Sequence, residues 1–394
     1  MGKTMGRGLS RLIGMRLLAV LAVFALSAEP LAAQERFATE APYAFLMDAG
    51  SGTILYEKRA NELMAPASMS KLMTLVMAFE AVDRGQLELD DRILITEEAW
   101  KRGGAKSGGS TMFAELDSHV PLRDILKGIA VVSANDACIA LAQALAGSEA
   151  AFADLMTTRA RELGLERSTF TNATGLPDPG QRMTVRELAM LARYIVRDFP
   201  EFYELFDIRE FTWNDIPQHN RNPLLDRVPG ADGVKTGYTK EAGYGLVGSV
   251  QRFGRRLILV VAGLPSADAR EEAAVKLIDW GFGNYQAYVM FEPGQTVEKA
   301  RVWGGDAAWV PLVTRIPVDI MLAAEERHFM RAEVSYKGPL IAPVKAGTQV
   351  GTLRFTVQDR VLAEAPLYTD ASVQKNDGLL RRALDTLHYF IFGA

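Results

Sequence analysis

Apolar and polar positions change rhythm several times along the chain, and those changes outline its architecture. Tyr43-Ala44-Phe45-Leu46-Met47-Asp48 and Thr53-Ile54-Leu55-Tyr56-Glu57 read as strands, joined as a hairpin by Ala49-Gly50-Ser51-Gly52. From Pro66 and Ala67 onward, the spacing of Leu72, Leu75, Val76 and Phe79 predicts a helix; proline is tolerated in a first turn, where its missing N–H would have no partner. Helical spacing recurs over 122–130, 134–145, 151–163 and 185–196. Strand patterns return at 244–249 and 256–263, and a further helix is expected over 269–280. Strands at both ends with helices between them predict an α+β domain over 34–287, and the hairpins favour a mainly antiparallel sheet flanked by helices.

Near residue 288 the rhythm shortens. Residues 310–316, 331–336 and 349–357 are short alternating runs broken by Gly and Pro, which predicts a small all-β sandwich over 288–374. The last segment, 375–394, carries Leu380, Ala383, Leu384, Leu387, Phe390, Ile391 and Ala394 on one helical face, with Arg381, Asp385 and His388 opposite. About 15 helical residues at 1.5 Å each reach roughly 23 Å, short of a 30 Å hydrocarbon core. An amphipathic helix lying in a membrane interface is therefore expected, the alternative being a helix docked on its own domain.

At the other end, Lys3, Arg7, Arg11 and Arg16 precede the apolar run 17–26, and Ala32-Ala33 supplies small residues. That arrangement reads as a secretory signal peptide over 1–33 and implies export; an uncleaved anchor fits less well, because the apolar run is too short to span a bilayer. The chain has 394 residues, 48% hydrophobic and 23% charged, which suits two globular domains. Its net charge is -4; without residues 1–33 it becomes -7, from 40 basic and 47 acidic residues. An acidic exported protein is a poor candidate for nucleic-acid binding. A single cysteine, Cys138, excludes an intramolecular disulfide, and its apolar setting over 137–142 reads as a buried, inert thiol.

Three short motifs carry chemistry. Ser68-Met69-Ser70-Lys71 is an S-x-x-K in which Ser68 and Lys71 share one helical face, so a desolvated Lys71 can take the proton of Ser68. Ser133-Ala134-Asn135 is an S-x-N whose serine can relay protons and whose asparagine can bind an amide, although alone it would read as a helix cap. Lys235-Thr236-Gly237, on a strand leading to Tyr238, adds a second cation, a hydroxyl for a carboxylate and a glycine that lets backbone approach a ligand. Ser372-Val373-Gln374-Lys375 and Lys106-Ser107-Gly108 repeat two of the motifs, the first in an expected linker and the second out of order, and both read as chance. The histidines His119, His219, His328 and His388 stand outside the motifs and without metal-ligand spacing, so no metal or other cofactor is expected.

The ordered set S-x-x-K, S-x-N, K-T-G resembles that of the low-molecular-mass penicillin-binding proteins, the D-alanyl-D-alanine carboxypeptidases. The contexts 66–74, 133–138 and 232–239 are similar too, as are Thr174-Gly175-Leu176-Pro177-Asp178-Pro179-Gly180-Gln181 and Asn220-Arg221-Asn222. The resemblance implies the serine β-lactamase/DD-peptidase fold, with Ser68 as acylated nucleophile, Lys71 as general base, Ser133 and Asn135 assisting, and Lys235 polarising the site. It also implies that Thr236 and Arg270 hold a terminal carboxylate and that the N–H groups of Ser68 and Tyr238 form an oxyanion hole. Arg270 has a bland alternative as a solvated arginine at a helix start. Implied partners are peptidoglycan stem peptides, β-lactam antibiotics and, through the terminal helix, a membrane surface; the implied location is the periplasmic face of the cytoplasmic membrane. Three other readings share these motifs: a DD-endopeptidase, a non-catalytic β-lactam sensor, and a class A-like β-lactamase with Glu187 as its water-activating carboxylate.

Overall fold

The computed structural model describes residues 37–358, 360–376 and 378. The signal peptide expected over 1–33 and the helix expected from residue 379 lie outside the described residues. Five antiparallel strands form the main sheet: β1 (Tyr43–Asp48), β2 (Ile54–Lys58), β3 (Ala231–Thr239), β4 (Gly243–Arg252) and β5 (Arg255–Leu264). Their order is β2-β1-β5-β4-β3, and Phe45 of β1 lies opposite Val260 of β5. The N-terminal hairpin thus joins a meander more than 170 residues downstream, closing one sheet around the helices between them.

Both faces of that sheet are covered. Phe45 and Met47 belong to the large helical core, whereas Leu46 points the other way, towards Gly281. A Cβ at Gly281 would stand 2.6 Å from Leu46 Cδ2, so the glycine allows that helix to lie close on the sheet. Burial on two faces explains why β1 reads as a nearly continuous apolar run.

The helices are α1 (Lys71–Asp83), α2 (Leu122–Val132), α3 (Asn135–Ala146), α4 (Glu149–Glu162), α5 (Val185–Asp198) and α6 (Ala267–Asn284). In α1, Leu72, Met73, Leu75, Val76, Ala78 and Phe79 are all fully buried, the signature of a helix surrounded by its own domain. The predicted helix from Pro66 is therefore corrected at its start: residues Ala67–Ser70 form a 3₁₀ turn, and the α-helix begins at Lys71. The helix Glu97–Gly103 and the hairpin of Glu210–Trp213 with Ile216–His219 were not predicted from the sequence pattern.

Residues 285–369 build the second β-structure. A six-stranded sheet and the pair Tyr285–Phe291 with Val318–Ala323 enclose Val302, Val310, Leu312, Ile320, Leu353, Phe355 and Leu367. Its first strand starts at Tyr285, directly after α6 and before the compositional change near 288. Among the described residues, three hydrogen bonds tie it to the β1–β2 hairpin. Thr53 Oγ1 donates to the Leu362 carbonyl at 2.9 Å, Arg360 to that of Ile54 at 2.9 Å, and the Tyr285 hydroxyl to that of Leu55 at 3.0 Å.

Candidate active site

In the 3₁₀ turn Ala67–Ser70, residues three apart eclipse each other, which stacks Lys71 directly against Ser68. Lys71 Nζ donates to Ser68 Oγ at 3.0 Å, to Asn135 Oδ1 at 2.8 Å and to the Thr174 carbonyl. Lys71 is wholly buried, and Ser68 is half-buried at the cleft. Burial pulls the Lys71 amine down to about 8, assisted by the charge of Arg221; Cys138, Glu149 and Asp136 act in the opposite sense. A lysine so placed can accept the proton of a serine hydroxyl near neutral pH.

The junction of α2 and α3 supplies the next two groups. Ser133 ends α2 in the left-handed region, with φ 64°, and Asn135 opens α3. Ser133 Oγ is buried and has no hydrogen-bond partner among the described residues, although it lines the cleft. Such a hydroxyl is free to relay a proton or meet a substrate group. Asp136, next in α3, is fully buried and accepts from Thr111 Oγ1 at 2.6 Å, Met112 N at 3.1 Å and Ala114 N at 3.2 Å.

Strand β3 forms the opposite wall. Lys235 is buried and donates to the Thr236 carbonyl at 3.2 Å. Its pKa lies well below that of an ordinary lysine, chiefly through burial and then through the charges of Lys71 and Arg221. A Cβ on Gly237 would stand 3.0 Å from the Pro66 carbonyl oxygen and 3.2 Å from Ala67 Cβ. The same glycine therefore packs closely on the nucleophile turn while it lines the cleft.

Tyr238 is 53% exposed and its ring lies against that of Tyr244, tilted by 30° with centroids 4.2 Å apart. The Arg270 guanidinium lies 5.9 Å from the Tyr244 ring, and its Nε has no hydrogen-bond partner among the described residues. That contact and its partial burial depart from the solvated arginine of the alternative reading.

All nine residues singled out in sequence converge. Ser68, Ser133, Asn135, Thr236, Gly237, Tyr238 and Arg270 line a cleft of about 530 Å³, while Lys71 and Lys235, both buried, bond to residues of its lining. Sequence reasoning missed other contributors. Arg221 and Ser110 meet across the cleft, Nη1 to Oγ at 2.5 Å, and Gly108, Gly109, Gly175, Leu176, Thr239 and Tyr244 also line it. Arg221 and Leu176 fall within the segments 220–222 and 174–181, whose resemblance to the family assigns neither residue a role. Glu187, by contrast, spends its carboxylate on Arg167 N and Ser168 Oγ and is not part of the cleft lining, which removes the carboxylate that the β-lactamase reading required. Ser372 sits beside a β-bridge at Val373 and accepts from Ala346 N, so the second S-x-x-K is not helical.

A family profile described as D-alanyl-D-alanine carboxypeptidase matches residues 29–266, and one described as the C-terminal domain of penicillin-binding protein 5 matches 285–375. The chain belongs to the D-alanyl-D-alanine carboxypeptidase family. It is 35% identical over 344 residues to D-alanyl-D-alanine carboxypeptidase DacF of Bacillus subtilis, covering 86% of this chain and 87% of the relative. Penicillin-binding protein 5 from Haemophilus influenzae superposes with a TM-score of 0.78 at 34% identity, over 86% of this chain and 99% of that one. Penicillin-binding protein D2 from Listeria monocytogenes, solved in its ampicillin-bound form, superposes with a TM-score of 0.54 at 30% identity, over 63% of this chain and 99% of that one. The match to penicillin-binding protein 5 extends over most of both parts of the chain, whereas penicillin-binding protein D2, itself covered to 99%, accounts for 63% of it.

Proposed function

We propose that this enzyme removes the terminal D-alanine from peptidoglycan pentapeptides by acyl transfer through Ser68, and that penicillins acylate the same hydroxyl. The observation that carries this reading is the contact of Ser68 Oγ with Lys71 Nζ at 3.0 Å, made by a lysine whose burial lets it be neutral near physiological pH. Lys71 takes the hydroxyl proton as Ser68 Oγ bonds to the penultimate D-alanyl carbonyl carbon. The N–H groups of Ser68 and Tyr238 receive the developing oxyanion. Ser133 passes a proton to the departing amine, the C–N bond breaks, and D-alanine leaves; water then cleaves the Ser68 ester. Asn135 holds the peptide amide, Lys235 adds positive potential, and Thr236 with Arg270 binds the terminal carboxylate.

Incubation with a pentapeptide precursor tests the reading by mass spectrometry. The expected product has lost one D-alanine, and Ser68→Ala yields none. No product from the wild type, or equal product from Ser68→Ala, overturns it. Cleavage only of cross-linked dimers, into two separate peptides with no free D-alanine, assigns the endopeptidase reaction in its place.

The same reading holds the protein at the periplasmic face of the cytoplasmic membrane, peripherally attached. It is supported by the basic-then-apolar segment before residue 34 and the apolar face within 379–394. Full-length protein is expected to sediment with membranes and a chain ending at Gly378 to stay in the supernatant; identical partitioning refutes the attachment.

A further inference from the structure

Lys71 is held partly by a backbone atom, and the geometry of that atom has its own support. The Thr174 carbonyl and the Gly175 N–H belong to one planar trans peptide unit, in which C=O and N–H point in opposite directions. The carbonyl end accepts from Lys71 Nζ. The N–H end donates to Asn172 Oδ1 at 2.8 Å. Fixing one end of a rigid plane aims the other.

Asn172 Oδ1 also accepts from Thr174 N at 3.1 Å and Thr174 Oγ1 at 2.9 Å, so the two peptide planes flanking Thr174 share one anchor. Asn172 Nδ2 donates to the Leu176 carbonyl at 3.1 Å. Asn172 is nearly buried, and its own segment is tied down independently by Glu149 Oε1, which accepts from Ala173 N at 3.1 Å, and by Thr74 Oγ1, which donates to the Ala173 carbonyl at 2.7 Å. Gly175, at φ 75°, lies so close to the nucleophile turn that a Cβ there would stand 2.0 Å from the Ala67 carbonyl oxygen.

We propose that Asn172 is a positioning residue for the general base: its side-chain oxygen orients the Thr174–Gly175 peptide so that the carbonyl holds the Lys71 amine in line with Ser68. This rests on the role given to Lys71 and Ser68 above. Lysine has a flexible four-carbon stem and three donors, so its direction is set by its acceptors. Of the three acceptors here, Ser68 Oγ is the group to be deprotonated and Asn135 Oδ1 belongs to a cleft-lining side chain. The Thr174 carbonyl is left as the fixed reference.

Asn172→Ala removes the anchor, and Asn172→Asp keeps an oxygen that accepts the same three donors. The measurement is the rate constant for acylation by a fluorescent penicillin across pH 6–10, normalised to active sites by endpoint titration. A misaimed base costs about 10- to 100-fold, so the Ala variant is expected to acylate slower by that factor. Its acid limb moves to lower pH, because losing an acceptor destabilises the ammonium form. The Asp variant restores the rate to within about tenfold and moves the limb to higher pH, its added negative charge favouring the ammonium. The other groups facing Lys71, namely Cys138, Asp136, Glu149, Arg221 and Lys235, are unchanged in both variants.

An Ala variant within about threefold of wild type and with the same limb overturns the proposal, since even a modest misplacement should cost more. Loss of activity only through fewer active sites, at an unchanged rate constant, overturns it equally. If the Ala variant does not fold, the Asp variant decides by the direction in which its limb moves. A wild type that is not acylated at all would fail the Ser68 reading instead.

Discussion

Acylation of this enzyme should fall steeply below pH 8, because its base is a lysine brought into range by burial. Lys71 is fully enclosed, and its amine is pulled down to about 8. Only the neutral amine can take the proton of Ser68, which lies 3.0 Å away. The neutral fraction is about a half at pH 8, about a tenth at pH 7 and about a hundredth at pH 6. Between pH 8 and pH 6 the second-order acylation rate constant should therefore drop roughly 50-fold, approaching tenfold per pH unit at the acid end.

The assay is stopped-flow acylation with a chromogenic cephalosporin or a fluorescent penicillin at constant ionic strength, over a range in which the protein stays folded. A second amine complicates the assignment, because Lys235 is also depressed by burial and by Lys71. Lys235→Met separates the two: the acid limb should persist, on a lower plateau. Lys71→Arg should abolish acylation throughout the range, since a guanidinium does not deprotonate in a protein. A flat profile between pH 6 and 8, a limb centred near 6.5 as for a histidine, or a limb that vanishes in Lys235→Met would each refute the argument that Lys71 is the titrating base.

Three further outcomes follow from the same contacts. Lys71 has a folded-state pKa below its unfolded one, so the unfolded chain binds the extra proton between about pH 8 and 10.5 and stability rises with pH across that window. Relative to Lys71→Met, the wild type should gain up to about 3 kcal/mol from pH 8 to 10.5 in urea titrations, and parallel curves would contradict this. Arg270→Ala should cost the reaction of a peptide with a free terminal carboxylate about 1.5–3 kcal/mol, roughly 10- to 150-fold in kcat/KM; the same peptide ending in a carboxamide should not distinguish the variants, and an equal loss on both would count against a carboxylate contact. Gly175→Ala would drive a Cβ to 2.0 Å from the Ala67 carbonyl oxygen at φ 75°, and should cost at least about 2 kcal/mol along with most acylation; wild-type stability and rate would show that the turn and loop are not tightly apposed.

The chemistry of the site was legible in sequence because it requires particular side chains in a particular order. Ser68, Lys71, Ser133, Asn135 and Lys235 announce themselves as residue types, and the left-handed turn at Ser133 or the 3₁₀ turn at Ser68 does not disturb that signal. The helix start was misread because 3₁₀ and α spacing both bring residues three apart onto one face. Glu187 was at a plausible distance along the chain, yet its carboxylate is consumed by Arg167 N and Ser168 Oγ. Only geometry could exclude it. The Thr174 carbonyl was invisible for a deeper reason, since every residue has a carbonyl and the sequence does not say which one points at a lysine. The second β-structure was legible from its short alternating runs, but its attachment was not: Thr53 and Arg360 make their cross-links to backbone carbonyls of Leu362 and Ile54.

The way Lys71 is buried connects these observations. A lysine enclosed by side chains alone could be re-exposed by small repacking, but this one is also held by the Thr174 carbonyl, and the turn leading to it packs closely against two glycines. The Ser68 turn lies against Gly237 on one side and Gly175 on the other, and at both positions a Cβ would meet main-chain atoms of residues 66–67. Ala67 at φ 48° and Ser133 at φ 64° are non-glycine residues in the left-handed region, each costing of order 1 kcal/mol. Two residues in the left-handed region and two closely packed glycines therefore border the turn and cleft that hold Ser68 and Lys71. Such a fold sacrifices stability to keep a cation's shell dry and narrow, and it gains a base that works near neutral pH beside the hydroxyl it must activate. The same construction explains why the nucleophile stands on a turn leading into α1, the most completely buried of these helices. Only a rigid, apolar support can hold a lysine away from water without giving it a carboxylate partner that would restore its charge.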